Sequence, residues 1–131
     1  MKNLTTLLLT LLVLGGCSKE VHIDKTVERY GKLYEVNSDV PFTGDVVNFH
    51  RINGQLFVRI PYKNGLRNGE TNFFRENGAI SSIENHVNGQ QHGTQTLYGL
   101  DGKVLVIDEY EFGTLVNQTR PGTYESIFDR E

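Results

Sequence analysis

Three series of glycines share one spacing, and that spacing decides what this chain can fold into. Asn53-Gly54, Asn77-Gly78 and Asp101-Gly102 recur every 24 residues, and Asn64-Gly65, Asn88-Gly89 and Phe112-Gly113 recur at the same interval. Gly44, Gly69 and Gly93 follow at 25 and 24. A fixed period of this length marks a stacked-repeat architecture, in which each unit buries its apolar side only against its neighbours. Aligned slots agree chemically: Phe49, Phe74 and Tyr98 share one, Leu56, Ile80 and Val104 a second, and Tyr62, His86 and Tyr110 a third.

Asn-Gly or Asp-Gly between alternating apolar runs signals a β-hairpin, because a type I′ turn needs positive φ at both central residues. The first glycine series therefore predicts hairpins pairing 45–52 with 55–62, 70–76 with 79–86, and 94–100 with 103–110. The second series reverses the chain again, so that each hairpin lies beside the last. Tyr30-Gly31, followed by a strand-like Lys32 to Val36, reads as a degenerate leading unit. The expected fold is all-β: an open meander or solenoid of antiparallel β-hairpins from repeats of about 24 residues. The two-residue side-chain period puts Leu56, Val58, Ile60 and Tyr62 on one face, with Val104, Val106 and Tyr110 repeating it. The other face takes Phe57, Arg59, Ser81, Ile83, Leu105 and Ile107, apolar enough to leave open which face is the core.

The repeat domain spans 26–117, between a tether at 17–25 and a tail at 118–131. Tyr124, Ile127 and Phe128 in that tail are expected to cap the last repeat, with a short helical turn around them, since an uncovered terminal strand exposes unpaired backbone.

The N-terminus carries a different signal. One charge, Lys2, precedes an apolar run from Leu4 to Leu14 that is too short for a membrane-spanning helix of about 20 residues and suits a signal peptide over 1–16. Leu14-Gly15-Gly16-Cys17 resembles the lipobox of bacterial lipoproteins. The resemblance implies cleavage between Gly16 and Cys17, with diacylglycerol on the Cys17 thiol and an N-acyl chain on its amine. Ser18 in the next position resembles lipoproteins sent to the outer membrane of two-membrane bacteria, facing the periplasm. Cys17 is the chain's one cysteine, so lipidation leaves no disulfide or thiol nucleophile. The chain has 13 Lys and Arg against 16 Asp and Glu, and loss of Lys2 with the signal leaves a net charge of −4. That balance predicts no nucleic-acid partner and leaves membrane attachment to the lipid.

Glycine, an aromatic five residues on, Asn/Asp-Gly, and a strand closing on an aromatic and a second glycine turn: this order resembles the MORN-repeat-variant family over about residues 25 to 117. Pro41-Phe42-Thr43-Gly44 and Asn53-Gly54-Gln55-Leu56 are its most characteristic parts. His86 and Phe112-Gly113 depart from the family pattern. The resemblance implies a repeat-sheet architecture, membrane-associated or protein-binding in some members, with a subset catalogued as YwqK-like antitoxins. It brings no catalytic residues.

Chemistry-bearing residues are sparse in pattern. His22, His50, His86 and His92 form no close pair with a cysteine or carboxylate, as zinc requires, so no metal is expected. His86 sits in a tyrosine slot and should pack, whereas His50 and His92 are expected to be solvated. Asp108, Glu109 and Glu111 read as a solvated strand end, because strand neighbours face opposite sides while acid–base pairs must face one cleft. Ser81-Ser82 lacks a nucleophile context. Tyr30, Tyr34, Phe42, Phe57 and Phe73 fall outside the repeating slots, either as an exposed binding stripe or as packing for the second face.

The expected function is therefore non-enzymatic: a lipid-anchored envelope protein whose repeat sheet binds or scaffolds another envelope protein, with no cofactor or small-molecule substrate. The alternative is an antitoxin or immunity-type lipoprotein, restricted by its export signal to a toxin acting in the envelope.

Overall fold

The computed structural model describes residues 18–122. The signal peptide, Cys17 and the expected cap of Tyr124, Ile127 and Phe128 lie outside them. The chain begins with β1 (Glu20–His22) and a 3-10 turn (Ile23–Lys25), then a hairpin of β2 (Thr26–Arg29) and β3 (Lys32–Glu35). Three longer hairpins follow, linked by two-residue strands: β4 (Gly44–Phe49) and β5 (Leu56–Lys63), β6 (Leu66–Arg67), β7 (Gly69–Phe74) and β8 (Ile80–Val87), β9 (Gln90–Gln91), then β10 (Gly93–Tyr98) and β11 (Val104–Glu111). β12 (Thr114–Thr119) ends the series. One open sheet takes the order β1-β4-β5-β7-β8-β10-β11-β12, with β6 on β5 and β9 on β8, while β2 and β3 pair apart from it. The all-β open meander is the architecture the glycine spacing predicts.

The turn chemistry is assigned the other way round. In Asn53-Gly54, Asn77-Gly78 and Asp101-Gly102 only the glycine has positive φ, whereas Asn64, Asn88 and Phe112 share positive φ with Gly65, Gly89 and Gly113. The type I′ geometry therefore belongs to the second series, and also to Tyr30-Gly31. The first-series loops are longer. Arg75 N–H bonds Ala79 O while Gly78 N–H bonds Arg75 O, and Gly99, Gly102 and Lys103 repeat this. Asn77 and Asp101 brace these loops by accepting the N–H two residues on, at 3.0 and 3.1 Å, which is an Asx-turn. In the first hairpin the closing pair is His50 and Gln55, which makes the loop one residue longer. That extra residue accounts for the 25 between Gly44 and Gly69.

Each long hairpin shifts register at the aromatic slot, between Asn48 and Phe49, Phe73 and Phe74, and Leu97 and Tyr98. The bulge leaves Phe57, Ser81 and Leu105 without a cross-strand partner and interrupts the two-residue alternation. Phe57 consequently meets Phe73, opposite Val58, at 6.1 Å rather than turning to the far face. The core lies on the Val58 and Ile60 side: Phe42, Val46, Val58 and Ile60 form one buried cluster, with Val21, Leu33, Tyr62 and Phe73 against it. Burial of such a side chain is worth about 2 kcal/mol. The cluster sits in the first long hairpin, so the later hairpins depend more on hydrogen-bonded register.

Residues 18–25 depart from the expected tether. β1 pairs in parallel with β4 from Glu20↔Asp45 to His22↔Val47, and Asp45 N–H bonds Lys19 O at 2.7 Å. Arg59 binds Glu20 at 2.9 Å and Asp45 at 3.3 Å, clamping the added strand. Beyond the expected boundary at 117, β12 continues the sheet to Thr119.

Candidate functional site

Cross-strand pairing sorts one face of the sheet into rows. Gly44, Gly69 and Gly93 stand opposite Tyr62, His86 and Tyr110, so the third glycine series abuts the aromatic slot. The next row pairs Val46 with Ile60, Thr71 with Glu84, and Gln95 with Asp108, which in turn pairs with Gln118 on β12. Along this row the face changes from apolar core to polar surface.

The polar end of that row is an open groove of about 340 Å³ whose lining includes Glu84, Gln95, Leu97, Val106, Asp108 and Gln118. Gln118 Nε2 donates to Asp108 Oδ1 at 2.8 Å, and Arg120 Nη2 donates to Gln118 Oε1 at 3.2 Å. Glu84 lies 3.9 Å from Arg67. The Gln95 amide nitrogen, Thr71 Oγ1 and His86 Nδ1 are buried with no hydrogen-bond partner among the described residues. Such a surface can hold polar chains through side-chain amides and carboxylates. Asp108 and Glu109 face opposite sides, as strand neighbours must, pairing with Gln118 and Asn117 respectively. Strand-neighbour reasoning missed that Glu84 and Asp108 line one groove from different hairpins. Their spacing of 24, in the slot of Ile60, was the available signal.

The groove ends at β12. All six residues of this strand are exposed, and among the described residues it pairs with β11 on one side alone. Its sequence, Thr-Leu-Val-Asn-Gln-Thr, has no charge and no proline.

The histidines all take structural positions. His86 is buried in its tyrosine slot, and its pKa is lowered by desolvation first, then by the Arg67 charge, against the opposing pull of Glu84. His50 and His92 correct the expectation of solvated rings. His50 Nε2 contacts Phe74 O at 2.8 Å, tying one hairpin loop to the next, and His92 Nδ1 accepts Phe112 N–H at 3.3 Å. His22 caps the 3-10 turn. Among the described residues no three His, Cys, Asp or Glu side chains come together as a metal cage, and no helix is long and apolar enough to cross a membrane.

The five unassigned aromatics do not form one stripe. Phe42 is core, Phe73 packs against it, Tyr34 lies under the Arg29 guanidinium at 4.3 Å, Phe57 is partly exposed, and Tyr30 is fully exposed.

Together the fold and surface define an open β-sheet protein with a polar groove running to an edge strand that, among the described residues, is paired on one side. Compared with protein families, curated proteins and solved structures, the chain finds no match.

Proposed function

We propose that this protein is a non-enzymatic, lipid-anchored envelope protein that binds a protein partner by accepting a strand onto β12. The observation that carries this reading is the edge itself: six exposed, uncharged residues with backbone groups bonded on one side only among the described residues. Proteins ordinarily protect such edges with lysine, proline or a covering loop, because an open edge templates pairing with another chain. Strand addition supplies affinity through main-chain hydrogen bonds, and side-chain pockets beside the new strand supply specificity. The Gln118, Asp108 and Gln95 groove adjoins the edge and offers such a pocket. Diacylglycerol on Cys17 supplies the anchor in this reading, and the cell envelope is the location.

The test is a photo-crosslinking residue at Asn117, with a second at Ile52 on the far loop as control, in envelopes of the native organism. A discrete adduct from position 117 that disappears when Val116→Pro blocks the edge supports the reading. Equal labelling from both positions, or an adduct indifferent to the proline, overturns it. An adduct with a protein whose toxicity in the envelope this chain relieves selects the immunity-type alternative.

A further inference from the structure

The second glycine series builds one continuous rim. Gly65 N–H bonds Phe42 O, Gly89 N–H bonds Arg67 O, and Gly113 N–H bonds Gln91 O, each at 2.8 Å. The residue before each glycine docks in parallel: Asn64 N–H to Thr43 Oγ1, Asn88 N–H to Asn68 Oδ1, and Phe112 N–H to His92 Nδ1. Every I′ turn after the first hairpin is thus held at two points by the unit before it.

The chain reaches the sheet at this same rim. β1 runs parallel to β4, so it enters beside Gly44, while the first-series loops lie at the opposite end of the strands. No slack separates the entry from the sheet, for Ser18 Oγ bonds Asp45 Oδ2 at 3.2 Å and Lys19 O bonds Asp45 N–H. A residue spans at most about 3.5 Å, so a lipid on Cys17 holds this corner within about 10 Å of its acyl chains. The rim also exposes apolar groups. Val40, 72% exposed, shares a hollow with Lys19, Thr43 and Asn64 beside the entry. Tyr30, 99% exposed, tips the β2–β3 turn, whose Gly31 shares a second hollow with Gly65 and Gly89. Phe112, 66% exposed, lies at the far end, six to seven strand spacings from β1 and therefore about 30 Å away. Tyr30 and Phe112 place aromatic rings at positive φ, where the sister turns have asparagine. Tyrosine favours the membrane interface through its amphipathic ring, and phenylalanine is among the apolar residues that interfacial segments bury there.

From these positions we infer that the I′-turn rim is a membrane-contacting surface: Val40 seats near the lipid anchor, Tyr30 seats partway along beside the Gly65 and Gly89 turns, Phe112 seats at the far end, and the sheet stands with its loops directed away from the bilayer. This contact rests on the proposed lipidation of Cys17.

The chain has no tryptophan, so single replacements report cleanly. Tyr30→Trp, Phe112→Trp and, on the loop rim, Leu100→Trp are made in the full chain, processed in a bacterial host and reconstituted in phosphatidylcholine vesicles with or without brominated acyl chains. Quenching at positions 30 and 112 at least threefold that at 100, with blue-shifted emission, is expected. Equal quenching at all three overturns the contact even with lipid present. Mass spectrometry of the processed protein separates the two claims: an unmodified Cys17 overturns the anchor and this contact together. If Phe112→Trp fails to fold, Asn88→Trp reads the same rim with the same two outcomes.

Discussion

The backbone N–H of Phe112 donates to His92 Nδ1 at 3.3 Å, and the two rings lie 4.5 Å apart. Asn68 accepts the equivalent N–H of Asn88 and Thr43 that of Asn64, so three unlike side chains do one job. His92→Ala leaves that donor without its partner and should cost about 1 kcal/mol in urea unfolding. His92→Asn, borrowing the sister residue, should recover most of the loss. An alanine variant as stable as the parent would dismiss the docking role.

Phe112 also pays a backbone cost, since positive φ disfavours a bulky side chain by about 1–2 kcal/mol. Phe112→Asn should raise the unfolding midpoint despite losing the His92 ring contact. A lowered midpoint would show that the ring pair outweighs the strain.

His86 makes folding pH-dependent in one direction. Its folded-state pKa lies below 6.5, so the unfolded chain takes up the proton first as pH falls. The stability that the neutral ring contributes is complete above 6.5 and drains away as pH drops from there through the folded-state value. His86→Tyr, which restores the residue of both flanking units, should flatten the midpoint between pH 7 and 5. Parallel pH profiles for the two proteins would refute this assignment.

Gly44 and Gly78 both have positive φ, but their surroundings differ. A Cβ on Gly44 would lie 2.2 Å from Lys19 O, whereas one on Gly78 meets nothing within 4 Å. Gly78→Ala should therefore cost about 1 kcal/mol from the backbone alone. Gly44→Ala should cost clearly more and release β1, read as fast hydrogen exchange at the Asp45 amide. Equal penalties would mean that β1 is not docked in solution.

The two Asn-Gly families predict opposite responses to glycine. Asn88 has positive φ, so Asn88→Gly should be tolerated to within about 0.5 kcal/mol. Asn77 lacks positive φ and uses its side chain to brace the loop, so Asn77→Gly should cost about 1 kcal/mol. Thermal melts of the pair decide it, and a reversed order would return type I′ geometry to the first series.

That contrast shows how much of the fold was legible. Glycine spacing located the three long hairpins to within one to three residues at each strand end, because positive φ is a demand only a few residue types meet. It could not assign turn type, since Asn-Gly suits both a two-residue I′ turn and a longer loop closed by an Asx bond. Deciding between them needs the strand register, which the bulges at Phe49, Phe74 and Tyr98 shift. Residues 17–25 carry neither a turn signal nor the 24-residue repeat, so in sequence the β1 segment reads as a tether. Its place depends on a parallel pairing with β4 and on the Arg59 clamp, both long-range. Of the candidate surface, the change from Ile60 to Glu84 was visible slot by slot, but the groove required knowing that the row continues to Gln118.

The two-point docking of the turns at Gly65, Gly89 and Gly113 gives the successive hairpins one common joint. Thr43, Asn68 and His92 show that the joint accepts a hydroxyl, an amide or an imidazole acceptor at the same point. Each added hairpin widens the sheet by two strands, or about 10 Å. In the proposed strand-addition reading, the number of 24-residue units thus sets how far the β12 edge lies from the strand at which the chain enters the sheet.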